Sequence, residues 1–287
     1  FRMLCATFTF CLVIYTYAAP QYSDPFARNY MFPLSAAAYS DKPQRCISHL
    51  FLNATVRRLV TVQCDGYQRD TCSGYTAVLH NEKAIVLSFR GTMRFTQLME
   101  EIEKSVFVSW SSWLFGGKIS QYFHDGFQKL WQGGMNEDFT ALKTVYPSYE
   151  IWVTGHSLGG SVASLAASYL IGTNSSNTNE IKLVTFGQPR IGDLQFSITH
   201  NSQLNYSFRV THWRDIVPQI PLEQIGHYYH HNHEAFYKYN MTPDSVTVCL
   251  GSEDKRCSDG LWFTASITDH KQYFGKDVFD YGSNGCV

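Results

Sequence analysis

The chain carries little charge and no surplus of either sign. Asp, Glu, Lys and Arg make up 16% of its 287 residues and sum to a formal net charge of −1, so nothing in it is suited to follow a polyanion, and no nucleic-acid partner is expected. Proline is sparse, with 9 residues. No Pro-rich linker, internal repeat or abrupt shift of composition divides the sequence, and residues 20–287 read as a single domain. Beyond residue 19 no stretch approaches the roughly 20 uninterrupted apolar residues of a membrane-spanning helix. There is no C-x-x-C pair and no H-E-x-x-H sequence, which removes the commonest zinc-ligand spacings. Neither a metal nor an organic cofactor is expected.

What the chain does have is 44% hydrophobic and 15% aromatic residues, enough for a sizeable core. Residues 1–19 begin with Arg2, run through Leu4-Cys5-Ala6 and Cys11-Leu12-Val13-Ile14, and end on small Ala18-Ala19, the pattern of a secretory signal peptide. Of 8 cysteines, Cys5 and Cys11 would leave with that segment, and the even remainder suits an exported protein with three disulfides. Cys64/Cys72 and Cys249/Cys257 each flank a short polar turn, which leaves Cys46 and Cys286 to join the N-terminal region to the C-terminus. That long bridge would constrain the unfolded chain most, by ~4 kcal/mol or more in the loop-entropy picture. N-x-S/T sequons begin at Asn53, Asn174, Asn205 and Asn240 and mark surface glycan sites in an exported chain.

Gly155-His156-Ser157-Leu158-Gly159 follows the apolar run Ile151-Trp152-Val153 and precedes Ser161-Val162-Ala163-Ser164-Leu165-Ala166-Ala167. A serine between two glycines at a strand-to-helix turn is held in a strained conformation, with its hydroxyl above the sheet edge. The next amide, that of Leu158, then lies at a helix N-terminus and can face a developing oxyanion. Around this turn, strands at Ala84 to Phe89, Glu150 to Thr154, Ile181 to Phe186 and Tyr206 to Thr211 alternate with helices at Gly134 to Tyr146, Ser157 to Ile171 and Asp193 to His200, the pattern of a parallel α/β core. Tyr75 to His80 and Ala84 to Phe89, separated by Asn81-Glu82-Lys83, read as a hairpin.

A lone serine is a poor nucleophile and needs a base, itself oriented by an acid. With this kind of turn the order is serine, acid, histidine. Asp193 opens a helix, where a capping role suffices. Asp215 follows a strand and precedes Val217-Pro218, where neither helix nor turn chemistry demands it, and is the favoured acid. His270 is the favoured base. Its rivals His227, His230, His231 and His233 read as an exposed loop entering a strand from Ala235 to Tyr239, with metal binding as the competing interpretation. His156 reads as a packed neighbour of the serine.

Several segments together resemble the class 3 lipases, typified by fungal triacylglycerol lipases, over about Ala36 to Cys286. They are Phe89-Arg90-Gly91-Thr92, His124-Asp125-Gly126-Phe127, the Gly155 to Gly159 turn, Phe186-Gly187-Gln188-Pro189-Arg190-Ile191-Gly192-Asp193, Arg209-Val210-Thr211 leading to Asp215-Ile216-Val217-Pro218, and His270 before Tyr273-Phe274-Gly275. The resemblance implies an α/β-hydrolase fold, with a mostly parallel central sheet, helices on both faces and a helical lid. It implies Ser157, Asp215 and His270 as a triad, in agreement with chain order, and Thr92 as a second oxyanion donor beside the Leu158 amide. Many relatives carry serine at the Thr92 position; threonine keeps both the hydroxyl and the amide. It also supports Cys46–Cys286 and Cys249–Cys257.

The activity expected from this is two-step acyl transfer by a secreted, monomeric triacylglycerol lipase on ester substrate at an emulsion or membrane surface. Phospholipase A1, monoacylglycerol lipase and feruloyl or soluble-ester esterase share the same triad, and an inactive secreted lipid-binding protein is the reading from another class. The lid is expected at about Met93 to Val106. There Phe95, Leu98, Met99, Ile102 and Val106 recur at helical spacing among Glu100, Glu101, Glu103 and Lys104, so an amphipathic helix beside Thr92 can cover the serine in water and turn outward at lipid. Trp110, Trp113, Leu114 and Phe115 would add an aromatic rim.

Overall fold

The strands among the described residues, numbered along the chain, are β1 (Ala54–Gln63), β2 (Thr71–Leu79), β3 (Ala84–Phe89), β4 (Trp110–Ser112), β5 (Lys118–Ser120), β6 (Glu150–His156), β7 (Ile181–Phe186), β8 (Tyr206–His212), β9 (Glu234–Tyr237), β10 (Val246–Cys249) and the two-residue pair β11 (Gln272–Tyr273) and β12 (Lys276–Asp277). They belong to a computed structural model that describes residues 21–64, 71–92, 106–222, 226–262 and 264–287. The expected signal segment lies outside the described residues, as do lid positions Phe95, Leu98, Met99 and Ile102. Eight strands form one sheet in the order β1-β2-β3-β6-β7-β8-β9-β10. From β3 to β9 neighbouring strands run parallel, while β1, β2 and β10 add antiparallel edges. Among the described residues no helix is long and apolar enough to cross a membrane.

The parallel centre is buried on both faces, which is why its strands read as apolar runs rather than alternating ones. Side chains of β3 split by the period of two: Ile85, Leu87 and Phe89 enter one core, Ala84 and Val86 the other. β6 divides likewise, Ile151 and Val153 against Trp152. The first core is closed by the helices Gln121–Leu130, Asn136–Val145, Leu158–Gly172 and Leu194–Gln203; the second by Phe32–Ala37, Pro43–Leu50 and Val278–Ser283. Helix Leu158–Gly172 is buried along most of its length, so its small residues let it lie close against the sheet and hold the turn that precedes it.

The three expected disulfides are formed. Cys46–Cys286 joins residues 240 apart in sequence, and Cys64–Cys72 and Cys249–Cys257 each close a separation of 8. The aromatic rim is only half present. Trp110 and Leu114 are exposed, but Trp113 is buried with its indole N–H on Ser168 Oγ at 2.9 Å, and Phe115 packs against Tyr169 and Gly172. The β4–β5 hairpin faces the helix Leu194–Gln203 across Gly116 and Gly117, so alternate residues turn inward and join the core. Val106, the described end of the expected lid, is likewise buried in the first core.

Candidate active site

β6 ends at His156 and the next helix begins at Leu158, leaving Ser157 alone at the bend with φ 59° and ψ −133°. Few non-glycine residues adopt that backbone region, and the surrounding packing must hold it there. Two contacts do so: the Ser157 amide donates to the Phe186 carbonyl at 2.8 Å, and the Ser157 carbonyl accepts from Gly160 at 2.9 Å. Gly159 is required by proximity, since a Cβ on it would stand 2.3 Å from the Phe89 carbonyl oxygen. The Ser157 Oγ is buried and makes no hydrogen bond among the described residues.

Asp215 lies just beyond β8, 2% exposed. His270 Nδ1 lies 2.9 Å from both of its carboxylate oxygens. An ionised carboxylate only accepts, so Nδ1 carries the proton and Nε2 is left as the basic nitrogen. Two further donors hold the carboxylate: the Val217 amide on Oδ1 and the Tyr273 hydroxyl on Oδ2, each at 2.9 Å. Burial, and then the neighbouring Asp215 charge, pushes the Tyr273 phenol well above its ordinary pKa, so it remains a donor. No role for Tyr273 follows from the sequence alone. Its spacing from His270 within one motif was the available signal, but tyrosine at such a spacing has no chemistry of its own to announce.

The segments carrying Asp215 and His270 are tied to each other and to the elbow. The Ser266 amide donates to the Arg214 carbonyl at 3.0 Å, while the Ser266 hydroxyl accepts from Asp269 at 2.9 Å and caps the short helix Ile267–Lys271 that carries His270. Gly187, the residue after Phe186, has φ +56°, and a Cβ there would come 2.8 Å from Asp215 Oδ2 and the Tyr273 oxygen and 2.9 Å from His270 Cε1. Gly187→Ala is therefore expected to displace Asp215 and His270 together, lowering kcat by about 10²-fold, the scale set by ångström-sized misplacement. Steady-state kinetics on a short soluble ester measure this.

Thr92 and Leu158, both buried, line one cleft with Arg90, Gly91, Tyr122 and Val162. Asp193 stands apart from this site: its Oδ1 accepts from the Phe196 amide at 2.8 Å as a helix cap. The histidine run departs from expectation. His230 and His231 are buried rather than on an exposed loop. The reason is buried polar partners: His231 Nε2 lies 3.0 Å from both Ser164 Oγ and Gln188 Nε2, Arg209 Nε donates to the His231 carbonyl at 2.8 Å, and His230 Nε2 lies 2.7 Å from the Pro218 carbonyl oxygen.

A strained serine at a strand-to-helix turn on a mostly parallel sheet, beside a buried Asp–His pair, defines an α/β-hydrolase. Residues 86–225 match the family described as Lipase (class 3). A lipase of Caenorhabditis elegans is 35% identical over 93% of this chain and 83% of its own length. A secreted mono- and diacylglycerol lipase of Gibberella zeae is 30% identical over 70% of this chain; the match spans 59% of that relative's length. A solved triacylglycerol lipase, whose catalytic centre is formed by a serine-protease triad, superposes with a TM-score of 0.76 at 27% identity, covering 91% of this chain and 98% of that one. The chain belongs to the class 3 lipase family, whose members are carboxylic ester hydrolases.

Proposed function

We propose that Ser157, Asp215 and His270 form the catalytic triad of a secreted lipase that hydrolyses triacylglycerol at lipid–water interfaces. The observation that carries this is the His270 Nδ1–Asp215 pair at 2.9 Å, buried at the same corner of the sheet as the strained Ser157. His270 Nε2 takes the Ser157 proton as Oγ attacks the ester carbonyl, and Asp215 fixes the tautomer and stabilises the imidazolium. The Leu158 amide and Thr92 bind the tetrahedral oxyanion, and the alcohol leaves with the proton from His270. Water, activated by the same histidine, then releases the acid from the acyl-serine.

The family and the triacylglycerol lipase likeness support this substrate class. The Gibberella zeae relative supports partial glycerides as the second reading. Secretion is supported by the residue 1–19 pattern, the three disulfides and the exposure of all four sequon asparagines, Asn53, Asn174, Asn205 and Asn240. We read residues 20–287 as one domain, since one sheet runs from Ala54 to Cys249 and Cys46–Cys286 ties the N-terminal region to the C-terminal one, and we propose that it acts as a monomer.

The test is hydrolysis of emulsified trioleoylglycerol, a dioleoylglycerol, phosphatidylcholine and a short soluble ester, side by side. Preference for trioleoylglycerol upholds the reading; preference for the soluble ester moves it to an esterase. The lid expected from sequence at Met93 to Val106 adds a second readout. Activity on a partly soluble ester is expected to rise sharply once the solubility limit is passed, and Ile102→Asp to blunt that rise while sparing the soluble ester. A smooth saturation curve, indifferent to Ile102→Asp, removes the lid.

A further inference from the structure

His156, the residue before the nucleophile, is fully buried and has both ring nitrogens engaged. Nε2 lies 2.8 Å from the His270 carbonyl oxygen, and Nδ1 lies 2.8 Å from the Tyr39 hydroxyl. A carbonyl only accepts, so Nε2 carries the proton. Burial, followed by the charge that His270 takes on, drives His156 well below its ordinary pKa. The ring therefore stays neutral, and Nδ1 is an acceptor for the Tyr39 O–H. The two imidazoles face each other with centroids 4.4 Å apart.

Tyr39 reaches the site from the N-terminal part of the chain, and its ring packs on Phe279 with centroids 4.5 Å apart. Burial holds its phenol well above the ordinary pKa, with the Arg90 charge and a hydrogen bond to the Gly91 backbone pulling the other way. The phenol thus keeps the proton that it donates to His156. The Gly91 backbone lies against this group: a Cβ there would stand 2.5 Å from the Tyr39 oxygen, 2.7 Å from the His156 carbonyl oxygen and 2.8 Å from Ser157 Cβ. One continuous buried path therefore runs from Gly91, next to Thr92, through Tyr39 and His156 to the backbone of His270.

We infer that Tyr39 and His156 are positioning residues, a hydrogen-bonded strut that sets the oxyanion segment at Gly91 and Thr92 relative to the backbone of the base, His270. The inference rests on the triad reading given above. Neither side chain contacts the reacting atoms in this role. Their effect is geometric, because proton transfer at Nε2 and oxyanion binding at Thr92 and Leu158 must be met by one substrate pose. A neutral His156 also leaves the imidazolium of His270 without a like charge against its face, which a cationic neighbour would oppose.

The test compares Tyr39→Phe, His156→Gln and His156→Leu with wild type on a short soluble ester, with kcat expressed per site titrated by a fluorophosphonate. Tyr39→Phe keeps the ring and loses only the hydroxyl; it is expected to lower kcat about ten-fold with KM within about two-fold. His156→Leu is expected to lose about 10²-fold, and His156→Gln, whose amide N–H can still donate to the His270 carbonyl, to recover part of that. A structural role alone reduces the number of titrated sites and leaves kcat per site unchanged. Unchanged kcat per site in Tyr39→Phe, or equal losses in the Gln and Leu variants, overturns the strut. Should His156→Leu fail to accumulate, Tyr39→Phe decides alone. If the fluorophosphonate labels a residue other than Ser157 in wild type, the triad reading falls and the strut with it.

Discussion

Ser157→Ala is expected to lower ester turnover on the order of 10⁶-fold, the loss seen when a serine nucleophile is removed from an intact triad, and to abolish fluorophosphonate labelling while leaving the thermal unfolding midpoint nearly unchanged. Asp215→Asn removes the charge beside His270 and favours the wrong tautomer, for an expected loss of about 10⁴-fold. Asp193→Asn is the control from the same stretch of chain order. Its carboxylate caps the helix Leu194–Gln203, and asparagine caps a helix about as well as aspartate, so activity is expected to stay near wild type. A label on another residue, or Asp193→Asn worse than Asp215→Asn, would show that chain order misassigned the acid.

The parallel core was legible because strands buried on both faces must be apolar throughout, and β3, β6 and β7 were read close to their observed bounds. β1 is not legible from the sequence. It is an edge strand with Arg57 and Arg58 inside it, and Arg58 reaches the buried Asp138 at 3.0 Å, so its charge resembles that of a loop until the partner is known. The elbow was legible because only small neighbours permit such a turn, and the capping role of Asp193 because it opens a helix; the proposal of Asp215 as the acid rests on chain order and is supported by its pairing with His270. The burial of His230 and His231 was hidden, since the polar groups that satisfy them come from distant segments: Ser164, Gln188 and Arg209 for His231, and Pro218, Glu253 and Ser197 for His230. The strut of Tyr39 and His156 was hidden for the same reason, its two members being 117 residues apart.

Acid is expected to destabilise this fold steeply from about pH 6.5 downward, and the buried histidines are the cause. His156, His200, His230 and His231 are all fully or nearly fully buried. Burial is the largest influence on each, drawing His200 down to about 3 and the other three well below the ordinary value. Secondary pushes act the same way: Arg209 and Arg190 on His230, and His200 and Arg209 on His231. Below the unfolded pKa of about 6.5, the unfolded chain binds protons at these positions that the folded chain refuses, so stability falls as pH falls. Each such histidine contributes up to about 1.4 kcal/mol per pH unit. Together they reach several kcal/mol by pH 5, a large part of the ~5–15 kcal/mol that holds a typical domain. Carboxylates with lowered values, Asp24, Glu180 and Asp254, act in the same direction but only nearer pH 4, so they do not explain a loss between pH 6.5 and 5. The measurement is the unfolding free energy from denaturant titrations at half-unit steps from pH 7.5 to 5. His200→Phe, which keeps a ring stacked on His231, now 3.9 Å away, is expected to reduce the slope by about one proton. A flat profile across that range, or a His200→Phe slope equal to wild type, would mean that these rings take up protons in the folded state and that their buried surroundings open to accept them.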